Sequence, residues 1–208
     1  MTLVQIRNLS IVVPMFIGLV ATLITAGEGN AYARDQTPAQ STSTESCLTT
    51  AVGPIRPTEA VISELNRTVG VVRVRRKRNG QIGTPPLTQR GKTQLGWDPN
   101  VQPGAGWGSV ITDAHTWPDG SALGNAMLRD LREGATIVMR DQAGASVCYR
   151  ITKRGSYPRN RIPRSRMFQP WGAEQLVIVV CSGRRLGPGN WLRRTVWWAE
   201  PVPAVAPA

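Results

Sequence analysis

Leu176–Ala199, LVIVVCSGRRLGPGNWLRRTVWWA, is the stretch on which the fold turns. It opens on a continuous apolar run, Leu176–Val180, that reads as a fully buried β-strand ending at Cys181. Gly183, Gly187, Pro188 and Gly189 then mark a loop, and Arg194–Ala199 reads as a second strand. β-Branched residues before the cysteine and turn residues after it favour two strands over one helix. A cysteine at a strand end facing a loop is where a rigid scaffold presents a nucleophile. A buried structural cysteine is the bland alternative for the same position.

Two other residues extend that reading. Arg194 follows Cys181 just inside the second strand. If the two strands are antiparallel neighbours, its guanidinium returns beside the thiol, where forked donors hold an oxyanion or a substrate carbonyl. Arg184, Arg185 and Arg193 stand nearby, so an arginine here is not in itself diagnostic. His115 is the only histidine of the chain and therefore the only imidazole available to a cysteine. It lies just after a strand-like run, Ser109–Thr112, in the sequence Asp113-Ala114-His115-Thr116-Trp117.

The 208 residues suffice for one domain with extensions, and 21 Gly and 16 Pro among short Val-rich runs point to an all-β fold. Residues 1–33 differ in character. Arg7 precedes an apolar run, Ile11–Ala26, and Ala31-Tyr32-Ala33 resembles a signal-peptidase site. A cleaved signal peptide and a retained signal-anchor both remain open, and either means export. Residues 1–33 carry only Arg7 and Glu28, so the net charge of +12 belongs to the exported part. Nucleic acid, an anionic envelope and plain solvation compete as explanations. No nucleic-acid motif or interleaved aromatic stripe accompanies the charge, so no specific nucleic-acid partner is expected. One His and three widely spaced Cys show no metal-ligand spacing, and no metal or cofactor is expected. The odd cysteine count leaves at least one thiol unpaired within the chain. Cys47 and Cys148 could pair and leave Cys181 free, but spacing does not establish connectivity.

In order along the chain, Arg34–Ser46 is polar, and residues 34–66 read as a linker and N-terminal extension with a short helix over Pro57–Leu65. Val69–Val74 reads as a strand, Asn79-Gly80 as a turn, and Ile82–Pro86 as an edge strand. Gly96–Pro103 and Gly104–Gly108 read as turns. Ser121–Leu131 sets Leu123, Met127, Leu128 and Leu131 on one helical face, with Gly134 as its C-terminal cap. Ala135–Arg140 and Ala145–Lys153 form a hairpin. Gly155–Gly172, rich in Pro and Arg, reads as a long loop able to wall a groove beside Cys181. Pro201–Ala208 is a Pro/Ala tail.

Taken together, a histidine after a strand, a cysteine ending VIVV and an arginine opening the next strand resemble the sortase family. GSVITDAHTW (Gly108–Trp117) resembles its strand-then-histidine segment, and LRDLREGATIV (Leu128–Val138) its entry to the following strand. Leu176–Cys181 is similar to its nucleophile strand and WLRRTVWWA (Trp191–Ala199) to its last strand. GWDPNVQPGAGWGS resembles the approach to the histidine in actinobacterial class F sortases. The likeness covers Val69 to Glu200.

The resemblance implies a closed eight-stranded β-barrel, all-β with one or two short helices, over residues 67–200. It implies cysteine transpeptidation in which Cys181 is the nucleophile, His115 the acid and base, and Arg194 the oxyanion donor. It further implies an LPXTG-like sorting signal on surface proteins as substrate and a cell-wall or pilin amine as acceptor. Thr usually precedes the nucleophile in the family. Here Val180 does, and that hydroxyl is missing. Val180, Thr116, Trp117 and Trp191 are the expected substrate contacts. Some sortases are metal-activated, but the acids between Gly155 and Glu174 reduce to Glu174 itself. An L,D-transpeptidase would show a His-Gly pair shortly before its cysteine, and a papain-like hydrolase a helix-borne cysteine near the mature N-terminus; neither is present. A non-catalytic cationic wall-binding domain of the same fold is the alternative from another class.

Overall fold

The computed structural model describes residues 47–204. The signal or anchor segment, the polar stretch Arg34–Ser46 and the last four residues of the tail lie outside them. Eight strands form a closed barrel, in the order β1-β2-β3-β4-β7-β8-β6-β5. They are β1 (Glu59–Ile62), β2 (Arg67–Arg73), β3 (Leu95–Asp98), β4 (Ser109–Ala114), β5 (Thr136–Arg140), β6 (Ser146–Pro158), β7 (Gln175–Gly187) and β8 (Asn190–Pro201). Two short helices accompany them, α1 (Leu123–Asp130) and α2 (Arg164–Met167). The pairs β2–β3 and β4–β7 are parallel and the others antiparallel. The closed eight-stranded barrel with one or two short helices that the resemblance implied is the fold observed, and its pairing is mixed.

A parallel pair needs a crossover, and both crossovers matter for the site. Residues 74–94 join β2 to β3. The chain from His115 through α1, the β5–β6 hairpin and α2 joins β4 to β7.

The core explains the unbroken apolar run of β7. Side chains alternate across a strand, so Leu176, Ile178 and Val180 enter the barrel interior with Ile62, Leu95, Ile137 and Trp197. Val177 and Val179 face outward but are buried in a second cluster with Ile111, Met167, Val196 and Trp198. Tyr157, Ile162 and Phe168 cover that outer cluster. Both faces of β7 are dry, so neither face carries polar residues.

Several local readings change. Residues 59–62 form β1 rather than a helix. Their alternating burial and their pairing to both β2 and β5 outweigh the helical pattern, and only Ser63–Leu65 winds into a 3₁₀ turn. The barrel thus takes in residues ahead of Arg67. Leu95–Asp98 is a buried strand, not part of a turn. Ile82–Pro86 joins no strand; its two prolines lack the N–H a ladder needs, and it runs as an irregular arm beside β4. α1 ends at Asp130 on the extended Leu131, so Gly134 does not cap it. Gly134, at φ 90°, instead turns the chain into β5 and donates its N–H to the Ile151 carbonyl.

Neither glycine-rich segment around the cysteine is a plain loop. β6 runs to Pro158, and α2 sits in what remains of 155–172. β7 continues past Cys181 to Gly187, and a two-residue Pro188-Gly189 turn returns the chain along β8. This outer part of the hairpin is exposed from Gly183 to Leu186 and carries two register shifts. Glycine and arginine there reflect a solvated ribbon rather than a loop.

Cys47 and Cys148 form a disulfide (Cα–Cα 5.4 Å) that spans 101 residues, and Cys181 is free. Thr49 and Thr50 tie the same segment to β6 and to Val202. Cross-linking so long a loop restricts the unfolded chain strongly. Cys47→Ser is expected to lower the urea unfolding free energy by about 2–5 kcal/mol while leaving the folded circular dichroism spectrum intact.

Candidate active site

The two ladders of β7 bring the three candidate residues together. On one side Cys181 stands directly opposite Arg194 in the antiparallel β7–β8 pair. On the other side Val180 is opposite Ala114 in the parallel β4–β7 pair, so His115, the first residue past β4, leaves the sheet level with Cys181. Asp113, Val179 and Cys181 share the outward parity of their strands. All of these residues line one cavity of about 400 Å³ on the outside of the barrel, between the β2–β3 crossover and the chain around α2. Lys77, Gln81, Ile82 and Thr84 form one wall, Ile162, Met167 and Phe168 the other. The long segment expected to wall a groove beside Cys181 does so.

His115 is half-buried and its Nε2–H donates to the Pro85 carbonyl, 2.7 Å away. A carbonyl only accepts, so this bond fixes the tautomer and leaves Nδ1 as the free ring nitrogen. Arg194 is anchored by one nitrogen, Nη1, which donates to the Trp191 (3.2 Å) and Arg193 (2.8 Å) carbonyls. Burial pushes the Cys181 thiol up; the Arg194 charge draws it back down and Asp113 adds a smaller upward push.

Of the four residues expected to contact substrate, Val180 lines the cavity and Thr116, Trp117 and Trp191 stand beside it. Val180 borders the cavity, but its side chain is 1% exposed and packs in the barrel interior. A threonine hydroxyl at 180 would therefore enter the core. Thr116 is buried and its Oγ1 donates to the Cys181 carbonyl at 2.7 Å, tying the residue after the histidine to the cysteine backbone. Trp117 is bracketed by Asn125, which hydrogen-bonds both its N–H and its carbonyl, and Lys92 lies 4.9 Å over its ring. Trp191 faces Arg185 in the outer ribbon. Thr116, Trp117 and Trp191 do not line the cavity.

Sequence reading passed over Asp113. It is 6% exposed, lines the cavity, and its Oδ1 is buried without a hydrogen-bond partner. Burial pushes its carboxyl up to about 8. The available signal was the one charged residue of its strand, two positions before the histidine and hence on the same face. Its place depends on Gly96 across the β3–β4 ladder, where a Cβ would stand 2.2 Å from Oδ1. Among the described residues no three His, Cys, Asp or Glu gather at one point to hold a metal ion.

No family model matches the chain, and no curated protein sequence matches it. Solved structures do. Sortase C1 from Streptococcus suis superposes with a TM-score of 0.53 at 13% identity, over 74% of this chain and 76% of that one. Streptococcus agalactiae sortase C1, in complex with MTSET, superposes with a TM-score of 0.52 at 11% identity, over 73% and 72%. At this identity the likeness is one of fold: the chain has the sortase barrel.

The charges around the thiol set its reactivity. In the alkylation of Cys181 by iodoacetamide, followed by mass spectrometry, Arg194→Ala is expected to shift the pH profile upward. Asp113→Asn is expected to shift it downward above pH 8, where the Asp113 carboxyl is ionised, because an attracting and a repelling charge are removed in turn.

Proposed function

We propose that the chain is a sortase-type cysteine transpeptidase. The observation that carries the reading is the meeting of Cys181, Arg194 and the imidazole-bearing end of β4 in one cavity on a sortase barrel. The Cys181 thiolate attacks the carbonyl carbon of a sorting-signal peptide, by analogy the Thr–Gly bond of an LPXTG-like motif. Arg194 donates to the resulting oxyanion. The tetrahedral adduct collapses as His115 protonates the departing amine, leaving a thioester on Cys181. An amine of the cell wall or of a pilin then attacks the thioester, His115 takes its proton, and the Cys181 thiolate is released beside the imidazolium.

The substrates on this reading are surface proteins carrying an LPXTG-like C-terminal signal. The approach to the histidine, GWDPNVQPGAGWGS, supports a class F-like, actinobacterial assignment within the fold. The Cys47–Cys148 disulfide supports work outside the cytosol, where such bonds persist. The N-terminal apolar segment supports attachment to the membrane if it is retained. The net charge of +12 suits an anionic Gram-positive envelope. Among the described residues no helix is long and apolar enough to cross a membrane.

The same charge also favours a second reading, a non-catalytic wall-binding domain. The two part at Cys181. Incubated with a panel of LPXTG-type peptides and triglycine, the full chain is expected to yield a peptide–triglycine product and a thioester adduct by mass spectrometry. Cys181→Ala yields neither, and Arg194→Ala loses about 10²–10³-fold in kcat. The wall-binding reading wins if no peptide gives adduct or product while Cys181 titrates as a free thiol.

A further inference from the structure

Asp113 is the buried acid of the cavity that no protein group answers. Oδ1 is buried and has no hydrogen-bond partner. It lies under the bare Cα of Gly96, and the position a Cβ would take there is 3.0 Å from the Pro85 ring. Such an oxygen is tolerable as a carbonyl oxygen and costly as half of a delocalised charge. The carboxyl, pushed up to about 8, therefore holds its proton at neutral pH. A neutral carboxyl has one O–H donor. With Oδ1 buried, Oδ2 is the oxygen left to carry it towards the cavity.

The charged and titratable groups around Asp113 come from every wall. His115 follows it on β4, Cys181 and Arg194 face it from β7 and β8, and Lys77 from the crossover. Arg159 and Arg164 face it from the chain before β7. Asp98, beyond Gly96 on β3, is paired with Arg76 at 2.5 Å. None of these cations bonds the Asp113 carboxyl, and Arg194 is held by backbone carbonyls instead. The β4 floor thus presents a single polar group to whatever occupies the cavity.

Resting on the transpeptidase reading, we propose that Asp113 is a substrate-binding residue whose O–H donates to a backbone carbonyl of the bound peptide on the β4 side of Cys181. Peptide backbone always offers such carbonyls, so the contact orients the chain over the thiol without selecting a side chain. Binding then weakens as Asp113 ionises.

The test uses the full chain with Cys181→Ala, which binds peptide without attacking it, and an LPXTG-type peptide that acylates the wild-type protein. Kd is measured by fluorescence anisotropy from pH 6.5 to 9. Asp113→Asn, which keeps a neutral donor, is expected to bind within about 3-fold of the parent at pH 6.5, and Asp113→Ala about 10-fold more weakly. Between pH 6.5 and 9 the parent loses about 10-fold, as a group titrating near 8 requires, while Asp113→Asn stays flat. His115 is common to all three proteins and does not separate them.

Folding provides the control. The native state holds the Asp113 proton more tightly than the unfolded chain, at about 8 against 3.8, so this residue makes stability fall as pH rises between those values. Both variants should therefore melt at or above the parent temperature at pH 8. The assignment is overturned if Asp113→Asn binds as weakly as Asp113→Ala, if both bind like the parent, if parent binding strengthens with pH, or if both variants melt lower. If no peptide of the panel acylates Cys181 in the wild type, the transpeptidase reading fails first and this inference falls with it.

Discussion

The double pairing of β7 is the constraint on which the rest depends. Its parallel register with β4 sets His115 at the level of Cys181, and its antiparallel register with β8 sets Arg194 opposite. Cys181 and Arg194 come from a hairpin of two strands and His115 from just past a strand far away in sequence. Register in a strand buried on both faces is strongly held, because a slip of one residue would exchange Val177 and Val179 for Ile178 and Val180 across two different dry clusters. The same slip would turn Cys181 into the barrel and Ser182 outward. Packing of five aliphatic residues therefore fixes where the thiol points.

Two buried acids show how the same residue class serves opposite ends. Glu174 accepts from the Gly104 and Gly106 N–H groups, at 2.9 and 2.6 Å, and from the Tyr149 hydroxyl. It is fully answered, and it pins the turn that leads into β4. Asp113, at the other end of that strand, is left without a partner beside a bare Gly96. An oxygen buried without a partner costs stability, and most in the charged form, which is why burial pushes this carboxyl up.

The cavity walls are irregular segments because parallel pairing demands crossovers. The β2–β3 crossover lends Lys77 and Thr84 to the cavity and the Pro85 carbonyl to His115. The β4–β7 crossover lends Ile162, Met167 and Phe168, which also seal the outer face of the sheet. The segments that shape the groove are thus the ones that bury the outer core, so the site and the fold share their packing.

The all-β class was legible in the apolar run Leu176–Val180, the turn residues and the hairpin before it, and the closed barrel in the resemblance that the motifs carry. Cys181, His115 and Arg194 stood out because each is the sole or best-placed residue of its chemistry at a strand end. What the chain could not disclose by itself was anything decided by pairing across it. Residues 59–62 look helical until β2 and β5 claim both of their edges, and the arginine-rich ribbon past Cys181 looks like a loop because no buried face patterns it. The Cys47–Cys148 bond was one of several open pairings, and Thr116, Trp117 and Trp191, the expected substrate contacts, stand outside the lining of the cavity. Asp113 was given no role, because the strand-like run was read as ending at Thr112. Local pattern, the strand period and the turn chemistry were enough to determine an all-β domain, and the order of its motifs carried the resemblance that implied a closed barrel. Burial, register and the missing Cβ of Gly96 are properties of neighbours distant in sequence, and these only the tertiary structure decided.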